Sequence, residues 1–201
     1  MTKGESTREE ILNVSLELFS KNGFAGTSVR QIARGVGIRE SGIYNHFSSK
    51  DDIFKEISNN FKSSATGSNL LNDDLIEQLD DPYKFLNDFC EKLITLWNNK
   101  NERRFIRLLL MEQYSESSQK ITTLNEYMNE ARSMWWMIFD ELIKHSFIKE
   151  NDAKVVANEF ISPLYMMRIE HMVEETNNNL NEIFDMVHNH IDFFFESVRI
   201  D

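Results

Sequence analysis

The clearest hydrophobic pattern in the chain covers residues 27–47, where apolar positions recur at the spacing of two short helices. Val29, Ile32 and Ala33 fall on one narrow face of the first helix. Gly37 follows four residues after Ala33 and can adopt the positive φ that a sharp turn between helices needs. The apolar residues around this turn are Val36, Ile38, Ile43 and Phe47. A small residue, a glycine and a buried aliphatic residue at this spacing predict a helix-turn-helix.

A longer amphipathic helix precedes this motif. Ser6 or Thr7, each followed three residues later by a glutamate, offers a capping box at its start. Its apolar face holds Ile11, Leu12, Leu18 and Phe19, and Asn22–Gly23 ends it. Because two short helices cannot close a core alone, we expect this helix to brace them, with Phe24 filling the small core.

The rest of the chain also has helical periodicity. Another helix should begin after Ser48 or Ser49, and residues 63–81 should form a loose connection with a short helix near 75–79. Further helices are predicted at these ranges: from Pro82 to about Trp97, 103–114, 117–147, 152–175, and from about residue 180 to the C-terminus. The pattern predicts an all-α fold. It comprises an N-terminal three-helix DNA-binding head, residues 1–49, and a larger C-terminal helical effector-binding and dimerisation domain, residues 50–201.

Composition changes this picture mainly through charge. The net charge of the 201 residues is -11, which is unusual for a DNA-binding protein until it is divided. Residues 1–50 hold seven Lys/Arg against five Asp/Glu, a balance of +2, whereas residues 51–201 hold 15 against 28, a balance of -13. The acidic body should repel phosphate, so we expect weak nonspecific DNA binding. Cys90 is the single cysteine, which fits a reducing compartment, and without a signal or membrane segment we expect a soluble cytoplasmic protein.

Several residues around the motif carry a family resemblance. They are Phe19, Gly23, Thr27, Ile32, Ala33, Gly37, the run Ile43-Tyr-Asn-His-Phe47, and Lys50. Together they resemble the DNA-binding head of the TetR/AcrR family over about the first 55 residues. The resemblance implies a homodimeric, ligand-responsive transcription factor, usually a repressor. Arg39 departs from it, because family members often carry Ser or Thr there, and the recognition helix thereby loses a side-chain cap.

The predicted recognition helix spans about Glu40 to Phe47, with Ile43 and Phe47 facing inward. Asn45 could read adenine, and Arg39 could contact either a guanine edge or a phosphate. The resemblance implies phosphate contacts for Tyr44 and His46, although His46 could instead pack or cap. Lys50, at the start of the next helix, should meet a phosphate, and Thr27 and Ser28 should do likewise at the start of the first short helix. The full predicted DNA-contacting set is Thr27, Ser28, Arg39, Glu40, Ser41, Gly42, Tyr44, Asn45, His46 and Lys50. Because a symmetric dimer reads two half-sites, the expected partner is double-stranded DNA with an inverted-repeat operator.

The body is rich in aromatic residues and methionines, which suit either a core or a pocket for a small, largely apolar effector. The candidate effector residues are Phe61, Phe89, Trp97, Tyr114, Met128, Met134, Trp135, Phe139, Phe160, Tyr165 and Met166. A positive group on that effector could meet Glu112 or Glu170. The last two helices could form a homodimer interface or complete the monomer's own core. The candidate interface residues are Val156, Phe160, Leu164, Met167, His171, Ile183, Val187, Ile191, Phe194 and Val198.

An enzyme is the main competing class of protein, and no assembled catalytic pattern supports it. His188 and His190 point to different faces of a helix and do not form a helical metal pair. The chain contains no phosphate loop, zinc-protease motif or nucleophile elbow. We therefore expect no catalysis, metal, cofactor or membrane association. A second alternative is a helical protein-interaction module whose head no longer binds DNA, since Arg39 and Glu40 are unusual at their positions.

Overall fold

The computed structural model describes residues 3–72, 76–113, 124–172 and 179–200, and all regular structure within them is helical. Short 3-10 turns occur at Ser68–Leu70 and Glu77–Asp80. The α-helices are α1 (Lys3–Asn22), α2 (Val29–Val36), α3 (Glu40–Tyr44), α4 (Lys50–Thr66), α5 (Pro82–Trp97), α6 (Lys100–Glu112), α7 (Leu124–Lys144), α8 (Ala153–Met172) and α9 (Leu180–Val198). The all-α prediction is confirmed. None of these described helices is long and apolar enough to cross a membrane.

The chain divides into two compact units that do not follow chain order. Unit 1 falls within residues 1–62 and 100–126, and unit 2 within residues 63–99 and 127–201. Helix α6 therefore groups with the helix-turn-helix, although it is distant in sequence. The predicted functional boundary between residues 49 and 50 is a different kind of division, and it stays a prediction.

In unit 1, α1 packs against both α2 and α6. Phe24 fills the core as expected, with its ring centroid 5.3 Å from that of Phe19 and 5.4 Å from that of Phe54. Helices α1 and α2 approach closely at Gly35, where an added Cβ would lie 2.6 Å from Val14 Cγ1.

In unit 2, α9 packs against α5 and α8. Pro82 is the first residue of α5, and the Asp81 side chain caps this helix by accepting the Lys84 N–H at 3.1 Å. The core is largely aromatic: the Trp135 ring lies 5.1 Å from Phe89 and 4.7 Å from Phe160, centroid to centroid. Cys90 is fully buried, and burial raises the pKa of its thiol. A buried thiol that stays protonated acts as a small core side chain rather than as a nucleophile.

Helix boundaries differ from the predictions in two places that matter. Helix α4 continues to Thr66, where a loose connection was expected, because small polar residues can remain helical within a longer element. Helix α3 ends at Tyr44 rather than Phe47, because His46 and Phe47 both donate their backbone N–H groups to the Ile43 carbonyl. Part of the predicted helix at 117–147 and residues 177–178 of the predicted break lie outside the described residues, whereas Asn179 of that break is the N-cap residue of α9.

Candidate nucleic-acid interface

Helix α2 is defined at both ends by side-chain and backbone hydrogen bonds. At its start, the Gln31 N–H donates to Ser28 Oγ at 3.3 Å, and Ser28 N–H donates to Gln31 Oε1 at 2.8 Å. This reciprocal pair is a capping box. At its end, Gly37 has φ +77° and closes the helix by donating to the Ala33 and Arg34 carbonyls. The positive φ predicted for Gly37 is therefore observed, and it turns the chain toward α3.

Helix α3 has only five residues, and buried side chains hold it against the rest of unit 1. Ile43 and Phe47 are almost completely buried, as predicted. The side chains of Arg39, Glu40, Ser41, Tyr44 and Asn45 are exposed, which places them on one accessible face. Arg39 is the N-cap residue and makes no side-chain cap hydrogen bond, so the predicted loss of a cap is confirmed. The Arg39 guanidinium therefore does not cap the N-terminus of α3.

The other predicted members of this set are less accessible. Gly42 and His46 are partly buried, and both readings of His46 stay open. Ser28 is exposed, although its hydroxyl also contacts Gln31 Oε1 at 2.8 Å. Thr27 requires a correction, because it is buried and its hydroxyl donates to the Gly23 carbonyl at 2.9 Å. Its hydroxyl holds the turn between α1 and α2 instead of facing a phosphate.

Lys50 also has a role that the sequence did not indicate. Its Nζ donates to the Phe24 carbonyl at 2.6 Å and to the Thr27 carbonyl at 2.7 Å. The same ammonium lies 4.2 Å from the centroid of the Phe24 ring. The pKa of Lys50 lies below the usual lysine value, because burial lowers it more than the nearby Asp51 and Glu112 carboxylates raise it. The lysine predicted to bind a phosphate is thus turned inward to the loop that precedes α2.

In unit 1, sequence reasoning missed two exposed arginines, Arg30 and Arg34, and the contact that Glu112 makes. Arg30 and Arg34 lie four residues apart on the exposed face of α2, and that periodicity could have identified them. Arg30 Nε lies 3.9 Å from Glu40 Oε1, so the acidic residue of α3 has a cationic neighbour. Glu112, on α6, accepts the Phe24 N–H at 2.9 Å. No sequence signal could have found this contact, since 88 residues separate the two groups.

Most candidate effector residues are brought together in unit 2. Phe89, Trp97, Met134, Trp135, Phe139, Phe160 and Tyr165 are buried there, and Met128 is partly buried. Three candidates do not join them. Phe61 stacks on Phe105 in unit 1, at 4.8 Å between ring centroids, Met166 is 55% exposed, and Tyr114 lies outside the described residues. Sequence reasoning also missed a buried cation in this core, Arg168, because an arginine in a helix is usually at the surface.

The candidate dimer residues need a correction as well. Met167 and His171 are partly buried, and the remaining eight are buried within the single chain. These eight complete the monomer's core, which was the alternative left open above. Three of these eight, Val156, Phe194 and Val198, also line an exposed groove of about 380 Å³ on α8 and α9, together with Val155, Pro163, His190 and Phe193. Phe193 is 82% exposed.

Comparisons with known proteins agree with the geometry of the head. Residues 11–57 match the profile of the bacterial regulatory proteins, tetR family. The chain is 44% identical over 55 residues to the HTH-type transcriptional regulator AcrR of Shigella flexneri, a match that covers 27% of this chain and 26% of AcrR. It is 26% identical over 155 residues to the HTH-type transcriptional regulator LmrA of Bacillus subtilis, covering 77% of this chain and 79% of LmrA. These relatives are regulators rather than enzymes.

A solved structure extends the similarity to the whole fold. The structure of SmeT in complex with triclosan superposes with a TM-score of 0.73 and 17% identity, covering 98% of this chain and 93% of SmeT. At that identity the likeness concerns the fold alone. The match with higher identity, to AcrR, spans about a quarter of that protein's length and coincides with the helix-turn-helix.

Proposed function

Because residues 11–57 match the profile of the bacterial regulatory proteins, tetR family, we propose that the chain is a member of that family and acts as a DNA-binding transcriptional repressor released by a small effector. The observation that carries the proposal is the exposed face of α3. Arg39, Ser41 and Asn45 are accessible there, while Ile43 and Phe47 fix the helix from the opposite side. A rigid helix that presents donors and acceptors can read base edges in a major groove.

Phosphate contacts would position this helix. Arg30 and Arg34 on α2 supply cations, and the exposed Ser28 lies at the N-terminus of the same helix. Such contacts fix register, while base contacts from α3 carry sequence information. Asn45 would donate to and accept from adenine, and Arg39 would contact guanine or a phosphate.

A homodimer would supply two such heads for the two halves of an inverted-repeat operator. We assign its interface to the exposed groove on α8 and α9, because the exposed side chains of Phe193 and Val155 lie together there and form one apolar patch with Pro163. Phe193→Asp should yield monomers in light scattering, while the control Met137→Asp, at an exposed position on α7, should remain dimeric. Persistent dimers of Phe193→Asp would reject this interface.

Release from DNA requires that an effector bind the non-operator arrangement more tightly than the operator-bound one. A near-complete shift needs about 5 kcal/mol of differential affinity. The buried aromatic residues of unit 2 are the best candidates for the effector site, and the similar SmeT holds triclosan. Helix α4, continuous from Lys50 to Thr66, would transmit the change to the heads.

The test is enrichment of genomic fragments by the purified full chain. Recovery of one inverted repeat would support the proposal. Asn45→Ala should then lower affinity for that sequence by about tenfold or more, and a matched control, Asn158→Ala on the exposed surface of α8, should not change it. If no fragment is enriched, the chain does not act through specific DNA binding.

The second candidate is a protein-interaction module whose head has lost DNA binding. It is favoured by Glu40, an acidic side chain on the exposed face of α3 that would face DNA phosphates. The Arg30 guanidinium 3.9 Å away offsets that charge, so we place this candidate second. Absence of fragment enrichment together with a stable protein partner would reverse the order.

A further inference from the structure

A second groove of unit 2 lies between α7 and α8 and shares no lining residue with the groove that contains Phe193. Its volume is about 310 Å³, and its lining includes Arg132 and Trp136 from α7 and Lys154 and Ala157 from α8. Arg132, Trp136 and Lys154 are exposed, so a ligand can reach them from solvent. The volume is at the lower end of the range for small-molecule sites, about 300–1,000 Å³.

Helical spacing and core packing place these side chains around the groove. Arg132 and Trp136 are four residues apart on α7, and side chains at that spacing share one face of a helix. Lys154 approaches from α8, with its Nζ 4.6 Å from the centroid of the Trp136 ring. The same two helices are joined in the core by Trp135 and Phe160, whose ring centroids are 4.7 Å apart. The groove therefore lies between helices that buried packing holds in place.

The two cations of this groove do not pair with acidic side chains. Arg132 Nη1 donates to Asn129 Oδ1 at 2.9 Å, and the Lys154 ammonium lies over the Trp136 ring. Within the part of the chain that the structure describes, neither forms an ion pair with a carboxylate. Asp152, two residues before Lys154, instead accepts the Lys154 backbone N–H at 2.8 Å. Two positive charges therefore face one groove and are available to an anion.

We propose that this groove binds a small aromatic carboxylate, at a site separate from the buried aromatic residues considered above for the effector. The carboxylate lies between the Arg132 guanidinium, whose planar fork matches its two oxygens, and the Lys154 ammonium. The aromatic ring of the ligand packs on Trp136, which is 40% exposed and offers an indole surface for offset stacking. The proposal concerns binding by the body of the protein and does not depend on DNA binding by the head.

The charge of the body favours a small anion over a polyanion. Residues 51–201 carry a balance of -13, so the field of the body repels an extended polyanion such as a nucleic acid. A small carboxylate meets the two cations at contact distance, while salt screens carboxylates more than about 8 Å away. The groove thus selects for a ligand with one negative charge and a compact apolar part.

The experiment uses fluorine NMR of the full chain, labelled with 5-fluorotryptophan and free of DNA. The chain has three tryptophans; Trp97 and Trp135 are buried, whereas Trp136 is exposed, and Trp136→Phe identifies its resonance. Naphthalene-2-carboxylate should shift the Trp136 resonance to saturation and move the other two much less. It should bind about threefold to tenfold more tightly than naphthalene-2-carboxamide, which has the same ring without the charge, because two exposed ion pairs of ordinary strength are lost.

A double variant tests which groups hold the carboxylate. Arg132→Gln combined with Lys154→Gln should remove the preference for the carboxylate over the carboxamide. The matched control combines Lys149→Gln with Arg199→Gln, which removes two exposed cations of the same unit outside the groove, and it should keep the preference. Because all four positions are exposed, these substitutions leave the core unchanged, and circular dichroism checks folding.

Four results would overturn the proposal. The first two are equal affinity for the two probes and an unchanged preference in the folded double variant. The third is a shift confined to Trp97 and Trp135, which would locate the ligand in the buried core instead of the groove. The fourth is a Trp136 resonance that moves with protein concentration alone, which would show that a second copy of the chain occupies the groove. Fragment enrichment is measured separately, so failure of this site is distinguishable from failure of DNA binding.

Discussion

Lys50→Met tests whether this lysine supports the head or contacts DNA directly. Methionine keeps most of the apolar length of the side chain but removes the ammonium. The protein then loses the hydrogen bonds from Nζ to the Phe24 and Thr27 carbonyls, at 2.6 and 2.7 Å, and the contact with the Phe24 ring. The turn before α2 would retain the Glu112 contact to the Phe24 N–H and the packing of Phe24 on Phe54 of α4, but would lose its hydrogen bonds from α4.

The magnitude follows from those contacts. A hydrogen bond to a charged group contributes about 1.5–3 kcal/mol, and a cation–π contact contributes about 0.5–1 kcal/mol at an exposed site. Lys50 is only partly buried, so water can replace part of each interaction. We expect the free energy of unfolding to fall by about 2–4 kcal/mol, a large share of the stability of a typical domain.

Two measurements separate the roles of Lys50. Urea unfolding followed by circular dichroism gives the stability change, with Lys55→Met, an exposed lysine on the same helix, as control. DNA affinity over a salt series gives the number of phosphate contacts. An inward lysine predicts lower stability with little change in salt slope. Unchanged stability together with a salt slope reduced by about one unit would refute this reasoning and restore the phosphate contact expected from the sequence.

Three further changes have defined outcomes. Gly35→Val should destabilise the head by about 1–3 kcal/mol in thermal unfolding because its Cβ would clash with Val14; an unchanged melting temperature would contradict that packing. Ser48 donates its N–H and hydroxyl to Asp52, and these hydrogen bonds hold the pKa of that carboxyl below its usual value of 3.8. Ionised Asp52 therefore stabilises the folded protein above pH 3.8, and this contribution is lost as the pH falls through the lowered folded-state pKa. Asp52→Asn should accordingly show a smaller decrease in the free energy of unfolding between neutral and acid pH, measured by unfolding over a pH series. Gly42→Ala gains up to about 1 kcal/mol in helix propensity, but its Cβ would lie 3.2 Å from Ile38 Cδ1, so we expect little change in stability. If Gly42 lets α3 lie close to the base edges, the same change should weaken operator binding in gel shifts; stronger binding would contradict that close approach.

The sequence by itself determined the local features of the head. The apolar spacing of Ile32, Ala33 and Ile43, and the glycine at position 37, specify two helices and their turn, because helical periodicity and positive φ are properties of neighbouring residues. The exposure of Arg39 and Asn45 follows from the same periodicity. The resemblance to the family depends on these same positions, which is why it covers only this part of the chain.

Tertiary structure alone decided where distant polar groups meet. Lys50 was assigned to a phosphate, and the carbonyls that it binds are identified only when α4 packs beside the turn at Phe24. Phe194 was assigned to a dimer interface, but only the packing of the helices shows that its ring contacts Phe139 and Phe160 in the monomer's core and also lines the groove on α8 and α9. Arg168 carried no signal, because its aromatic neighbours come from helices about 40 and 70 residues earlier in the chain. Periodicity states which side of a helix is apolar, whereas the identity of the groups opposite that side depends on how the helices pack.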